Sequence, residues 1–512
     1  MDLLQPCNPI LITFFLFILA ILTILKRSNA NHLNQKHPPG PWKLPLIGNL
    51  HNLVGSLPHY ALQDLATKHG PLMHLWLGEV STVIVSSAEV AREVMKTNDI
   101  SFANRQPVMA SKILAYDSTN IIFSPYSEYW RHLRKICSVE LLSAKRVQSF
   151  WWIRDEEMSN VVERIAACVG SPVNLTEHIF SSAYSITARA AFGKKSRSHE
   201  QFIPLAAETA RHASGFDVTD IFPSFTWLHL ISRMKPQLEK LHHEIDGILE
   251  AIINDHWEAR TSSNTTGEGS DTTADLIDVL LKFQEHMEDG FCLSTDNIKA
   301  VLLDIFIAGS ETSATIVDWA MAEMIRRPKI LVKAQAEVRR AFGQKGKVLA
   351  QDFPELKFMN SIIRETLRLH PAVPLIPREC RKSCKIDQFE IPAKTKVIVN
   401  ALAIGRDPRY WDDPEAFDPE RFLESPVDYK GNNFEYIPFG AGRRICPGMT
   451  FASVNMEFQL AMLLYHFDWK LPDGMKNEDL DMKESFGLSV KRKNDLYLTP
   501  TLYRPLQSTS EQ

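Results

Sequence analysis

Apolar residues and threonines run without a break from Ile10 to Leu25. Sixteen residues of helix span about 24 Å, a little short of a ~30 Å hydrocarbon core. Asn8 and Pro9 extend the run to a marginal single span. Lys26-Arg27 follow it and Asp2 precedes it, a charge bias that places the rest of the chain on the cytoplasmic side. A cleaved signal peptide is the alternative, but no small-x-small cleavage site follows. Residues 1–27 are therefore expected to form an N-terminal transmembrane anchor. Residues 28–41 read as a polar linker closed by a stiff hinge, Pro38-Pro39-Gly40-Pro41, because proline fixes φ and restricts its predecessor.

Beyond the hinge the pattern is mostly helical. Leu72–Val85 is the early exception: Met73, Leu75 and Leu77 alternate and Thr82–Val85 is β-branched, which predicts two strands. A short helix over Ala88–Lys96 follows. Gln106–Tyr126 has little regular period, and another helix begins at Tyr129. Val161–His256 is helical almost throughout, interrupted at Asp217–Pro223. Thr261–Thr273 is acidic and rich in Ser, Thr and Gly, a solvent linker. Asn297–Arg327 is one long helix ended by Pro328. Lys396–Asn400 and Leu496–Leu502 read as strands of a small sheet. The expected class is mainly α with a smaller β region, residues 42–512 forming one large domain.

The net charge of −4 and the 45% hydrophobic content describe an ordinary globule with ample core. No basic face suggests nucleic acid. Seven cysteines, odd in number and scattered, fit a reducing compartment better than a disulfide framework. Cys380 and Cys384 have no second Cys/His pair nearby and read as ordinary thiols.

The chemistry centres on Phe439-Gly440-Ala441-Gly442-Arg443-Arg444-Ile445-Cys446-Pro447-Gly448. Glycines let backbone approach a bulky ligand and expose N–H groups. Pro447 suits a first helical turn, which would put Cys446 at a helix N-terminus, where the sulfur ionises more readily. Such a thiolate is a good axial ligand for haem iron, favouring O–O cleavage. Phe439, Gly442, Arg444, Cys446 and Gly448 fill every fixed position of Phe-x-x-Gly-x-Arg-x-Cys-x-Gly, so the stretch resembles the haem-binding signature of the cytochromes P-450. In detail the chain resembles plant microsomal members of the 71 clan, nearest in texture to its D subfamily. The passages that carry this are Pro39–Leu50, Ser214–Asp217 and Tyr436–Gly442.

The resemblance implies the cytochrome P-450 fold and haem b, with Cys446 as iron ligand and residues 42–512 as the haem-thiolate catalytic domain. Trp130 and Arg134, four apart on one helical face, match a pair placed on a haem propionate; Arg378 and Arg444 match further propionate positions. Ala308-Gly309-Ser310-Glu311-Thr312 matches the oxygen site. Gly309 costs roughly 1 kcal/mol inside a helix relative to Ala; an opening of the hydrogen-bond ladder there would make room for O2, although a patch of small residues also serves close helix packing. Thr312 would offer a hydroxyl to bound oxygen, and Glu311 a carboxylate to relay protons. Glu365, Arg368 and Arg421 match an ion network that holds the loop leading to the cysteine. It is structural rather than catalytic.

Candidate pocket residues by the same resemblance are Ile113, Leu114, Phe216, Val301, Ile305, Ala308, Ala372, Val373 and Leu488. No Rossmann or P-loop fingerprint or flavin-binding motif is present, so electrons from NADPH would come through a separate reductase, docked on a basic surface near Arg131, Lys135, Lys145 and Arg146. The expected reaction is hydroxylation of a small apolar plant metabolite with O2. A terpenoid is favoured slightly over an indole alkaloid or flavonoid, and a haem-thiolate isomerase or dehydratase that does not use O2 is the remote alternative. The expected location is the endoplasmic reticulum membrane, in contact with lipid, with the catalytic domain cytosolic.

Overall fold

The computed structural model describes residues 37–193, 197–212, 217–225, 228, 232–263, 275–285, 291–343 and 348–505. The expected anchor, most of the linker, Phe216 and residues 264–273 lie outside the described residues.

The principal helices are α1 (Pro58–His69), α2 (Glu128–Lys135), α3 (Trp151–Ala166), α4 (Leu175–Phe192), α5 (Arg197–His212), α6 (Met234–Ser263), α7 (Leu276–Glu285), α8 (Thr295–Arg326), α9 (Pro328–Phe342), α10 (Lys357–Leu369) and α11 (Met449–His466). Helix α8 is the axis, packed chiefly on α4 and α11. Ser294 caps it, its hydroxyl accepting from the Asn297 N–H at 3.1 Å while the Asn297 side chain accepts from the Ser294 N–H at 3.2 Å, a reciprocal pairing that satisfies two orphan donors. Pro328 ends α8 as expected and also opens α9 at its first position, where a missing N–H costs nothing. Among the described residues α8 alone is long and apolar enough to cross a membrane, but it is mostly buried in protein. An all-round apolar helix in that setting is a core helix.

The two early strands form as expected, β1 (Leu72–Leu77) antiparallel to β2 (Val80–Val85). They join β3 (Leu375–Glu379) and β4 (Lys396–Asn400) in a four-stranded sheet of order β1-β2-β4-β3, with β2 and β4 parallel. Tyr497–Leu502 is a strand of a different sheet, between Val173–Asn174 and Phe467–Lys470. Strand patterns locate Leu72–Val85, Lys396–Asn400 and Leu496–Leu502 but not Leu375–Glu379, and pairing is decided by which segments the helices bring together. The helix expected over Ala88–Lys96 turns π-helical at Glu93–Thr97.

Candidate active site

The loop before α11 is shaped by glycines. Gly442 has φ +68°, and a Cβ there would stand 2.0 Å from the Met95 carbonyl oxygen. Only glycine fits both demands. The next residue, Arg443, donates its N–H to Asp99 at 3.0 Å. The Cys446 N–H then closes the loop on the Phe439 carbonyl at 3.0 Å. Helix α11 begins at Met449 with Gly448 as its cap, so Pro447 precedes the helix rather than sitting in its first turn as expected, and Cys446 stands two residues ahead of the cap. The sulfur still receives the Gly448 N–H. Burial pushes the Cys446 thiol up, while that N–H and the charges of Arg134 and Arg105 pull it down.

Four guanidinium groups, of Arg105, Arg134, Arg378 and Arg444, cluster here, and Arg134 and Arg105 act on the sulfur. Burial pushes Arg105 down to about 10, Arg378 to about 9 and Arg444 to about 8; Arg105 presses further on Arg378 and Arg444, and Arg378 and Arg134 on Arg444. Arg134 is lowered by burial and raised by the Cys446 charge. A guanidinium does not lose its proton in a protein, so these shifts measure positive charge without enough negative charge beside it. Asp99 and Asp304 are the nearby carboxylates. The Nε of Arg105 is buried with no hydrogen-bond partner among the described residues. A cluster of this kind fits a group carrying two carboxylates next to a thiolate, which is what a haem offers. Phe439 is half-buried against Tyr429, ring centroids 5.2 Å apart.

The expected haem-binding side chains also have partners within the protein. The Trp130 indole N–H donates to the Ile121 carbonyl at 3.0 Å. Arg444 stacks on Trp130 at 4.1 Å and donates to the carbonyls of Ala103 at 2.7 Å, of Ile121 at 3.2 Å and of Ser124. Arg378 donates to Pro377 and Ala441. Arg105, absent from the sequence reading, is the cluster member with an unused buried donor. Nothing in Asn104-Arg105-Gln106 marks it, because its importance comes only from what folds around it.

On α8, every residue from Ile298 to Ile325 is buried except Ala308, Gly309 and Thr312. Their spacing places them on one face. A Cβ on Gly309 would meet Phe451 and Thr187 at 3.4 Å each, so the glycine lets α8 approach both α4 and the start of α11, five residues after Cys446. The ladder opening expected there is not seen as a break: α8 runs through as α-helix, and the Thr312 hydroxyl donates to the Ala308 carbonyl at 2.6 Å.

Glu311 is buried and faces away from solvent. It accepts from the Tyr184 hydroxyl, from Ser489 at 3.4 Å and from the Lys491 ammonium at 3.3 Å. Lys491 is 42% exposed, so it links the carboxylate to the surface. Burial, then the Glu311 charge, push the Tyr184 phenol well up, which keeps it a donor. None of these three partners was legible in the sequence.

Of the pocket candidates, Ile113, Leu114, Val301, Ile305 and Leu488 belong to one apolar cluster. Val301 is fully enclosed in it and Ile113 and Leu488 are half-buried. Ala372 belongs to the other main cluster, and its carbonyl accepts from Val490 N–H at 2.8 Å, which fastens the turn bearing Leu488. Val373 is half-buried beside it.

Glu365, Arg368 and Arg421 do come together. Arg368 grips Glu365 with two bonds, 2.7 and 2.8 Å, and donates to the carbonyls of Gly405, Pro414 and Ala416. Arg421 reaches Glu365 at 3.1 Å and the carbonyls of Asp412 and Asp413.

Residues 38–498 match the family model described as Cytochrome P450. Cytochrome P450 71D11 of Lotus japonicus is 55% identical over 92% of this chain and 96% of its own. Premnaspirodiene oxygenase of Hyoscyamus muticus is 50% identical over 97% and 98%, and salviol synthase of Salvia pomifera 49% identical over 99% of each. A solved zebra fish cytochrome P450 with progesterone superposes with a TM-score of 0.75 at 24% identity, over 87% of this chain and 100% of that one. That likeness shows the fold.

Proposed function

From a chain that belongs to the cytochrome P450 family, as its match across residues 38–498 establishes, we propose an NADPH- and O2-dependent monooxygenase that hydroxylates a small apolar plant metabolite, in first place a terpenoid. The family implies a haem-thiolate oxidoreductase with a redox partner and a small hydrophobic substrate. The single observation that carries the reading is the strip Ala308, Gly309 and Thr312, left accessible on an otherwise buried helix and joined through Phe451 to the Cys446 loop.

Cys446 is the proposed iron ligand, and Arg105, Arg134, Arg378 and Arg444 the field that holds the haem carboxylates. When bound, the haem supplies the iron chemistry that splits dioxygen and inserts one oxygen atom into a C–H bond. The protein does the rest. The Gly448 N–H and the charges of Arg134 and Arg105 favour the ionised sulfur against the burial that opposes it. Apolar side chains around Ile113, Ile305 and Leu488 orient the substrate and exclude water. Thr312 presents its hydroxyl oxygen on the accessible strip. Glu311 offers its carboxylate as a proton relay, and the Lys491 ammonium that meets it at 3.3 Å connects it to solvent. This is general acid work by a positioned, buried group.

A terpenoid substrate is supported by two relatives with terpenoid-related names, premnaspirodiene oxygenase and salviol synthase, and by pocket candidates without a fixed charge. An indole alkaloid or a flavonoid fits the same list. The proposed architecture is an anchor over residues 1–27, a hinge to residue 41 and a cytosolic catalytic domain over 42–512 at the endoplasmic reticulum membrane, fed by a separate NADPH-dependent reductase. Exposed Trp42, Leu46, Ile47 and Val54, just after the hinge, suit contact with lipid.

The test is product formation in microsomes carrying the full chain, a plant reductase and NADPH, with terpene olefins, indole alkaloids and flavonoids scored for one added oxygen. A terpene product supports the whole proposal, and an alkaloid or flavonoid product moves the substrate. The wild type is expected to give a thiolate-type spectrum in its reduced carbon-monoxide complex, and Cys446→Ser to lose it. A folded wild type without that spectrum overturns the haem assignment.

A further inference from the structure

Segment 119–124 is a strap between α8 and the cysteine loop. Its polar groups divide by side. The Asn120 amide donates to Asp304 Oδ1 at 2.7 Å, and the Ile122 backbone N–H to Asp304 Oδ2 at 3.0 Å. Asn120 cannot turn over, because its own oxygen accepts the Phe123 N–H at 3.0 Å. Four of its carbonyls are taken by donors from elsewhere: Tyr129 on Thr119 at 2.7 Å, Trp130 and Arg444 on Ile121, Arg105 on Ile122 at 3.1 Å, and Arg444 on Ser124. The carbonyl side is thus bolted to α2 and the arginine cluster, and Asp304 bolts the N–H side to α8.

Three features give this bolt a consequence. Asp304 stands one turn before Ala308 and next to Ile305. Both Asp304 and Asn120 are buried, so a donor left without an acceptor there would stay unpaired. Just before the strap, Tyr116, Asp117 and Ser118 all have positive φ, 48°, 59° and 60°. Three consecutive left-handed residues persist only when the surroundings over-determine them. The strap also carries Ile122 and Phe123 into the apolar cluster that holds Ile113, Leu114, Ile305 and Leu488.

We propose that Asp304 is a positioning residue that fixes the 119–124 strap against α8, so that the pocket wall keeps one shape and admits a narrow class of substrates. The proposal rests on the monooxygenase reading for the pocket, but its test does not depend on knowing the substrate. Asp304 acts through Asn120 and Ile122.

The experiment uses the full-length, haem-loaded protein in lipid nanodiscs. In Asp304→Asn, peptides covering 116–124 should exchange amide hydrogens about tenfold faster or more, as loss of a buried hydrogen bond requires. The probe 4-phenylimidazole, followed by the absorption change on binding haem, should associate several-fold faster. The carbon-monoxide spectrum should be unchanged. The double variant Asp304→Asn/Asn120→Asp exchanges donor for acceptor across the same contact and should restore wild-type exchange. Should Asp304→Asn fail to hold haem, Asn120→Ala decides: it removes one bond from the strap's side and should loosen the same peptides to a smaller degree. Unchanged exchange in a haem-loaded Asp304→Asn, unchanged exchange in Asn120→Ala, or no recovery in the double variant overturns the proposal. A wild type without the thiolate-type spectrum is a different result: it sinks the monooxygenase reading and leaves the strap to be judged by exchange alone.

Discussion

At the scale of the residue, the site depends on backbone that few side chains permit. Gly442→Ala adds a methyl group 2.0 Å from a carbonyl oxygen at φ +68°. The left-handed conformation alone costs at least about 1–2 kcal/mol, and the loop must also move. Faster haem loss than wild type on competition with an apo-globin is the expected outcome. Thr312→Val keeps the shape and removes a hydroxyl that donates to the Ala308 carbonyl at 2.6 Å. Thermal stability should hold, while product per electron falls about tenfold or more, if the hydroxyl serves proton delivery, with hydrogen peroxide as the diverted product. Equal coupling in the two proteins would remove Thr312 from the mechanism. These residues were legible in the sequence because glycine and threonine in fixed spacing carry their chemistry with them. Arg105, Tyr184 and Lys491 were not, since an arginine, a tyrosine and a lysine are drawn into the proposed site only through their neighbours.

At the scale of the element, one carboxylate organises a long loop. Glu365 on α10 receives Arg368, Arg421 and the Asp418 N–H at 2.8 Å, and Arg368 passes the constraint to the carbonyls of Gly405, Pro414 and Ala416. With Glu365 and Arg368 fully buried, Glu365→Gln leaves two guanidinium groups short of charge. A loss of about 3–5 kcal/mol is expected from such a break, read as a lower denaturant midpoint and a lower yield of haem-loaded protein. An exposed pair would give about 0–1 kcal/mol, and that result would show the network to be dispensable. The pairing of Glu-x-x-Arg with a distant arginine was readable as a pattern. The helix start at Met449 was not, because Pro447 is compatible with both a first helical turn and the extended backbone before one. Only the contact of Gly448 with the sulfur decides between them.

At the scale of the whole molecule, ion pairs fasten peripheral helices to the core. His256 on α6 lies 2.8 Å from Asp275, just ahead of α7. Burial works against the imidazolium, but the hydrogen bond and charge of Asp275 outweigh it and raise His256 to about 9. A histidine with a raised folded value contributes stability that is complete below its unfolded value of 6.5 and is lost as pH rises through 9. The described protein is therefore expected to lose thermal stability between pH 6.5 and 9, and His256→Gln to flatten that part of the profile. A profile with the same slope in the variant would assign the loss to other groups.

What the sequence determined by itself was the class, mainly helical with a small β region, and the identity of the groups with intrinsic chemistry: the thiol of Cys446, the small-residue strip at Ala308–Thr312, the Glu365–Arg368–Arg421 trio. Hydrophobic period and local motif are properties of neighbours along the chain, so one chain shows them. The tertiary structure alone decided which strands pair, that the Trp130 indole serves a backbone carbonyl, that Glu311 meets solvent through Lys491, and that Asp304 holds a strap from residues 119–124. Each of these is a contact across many residues, fixed by burial, where a polar group must take whichever partner the packing delivers.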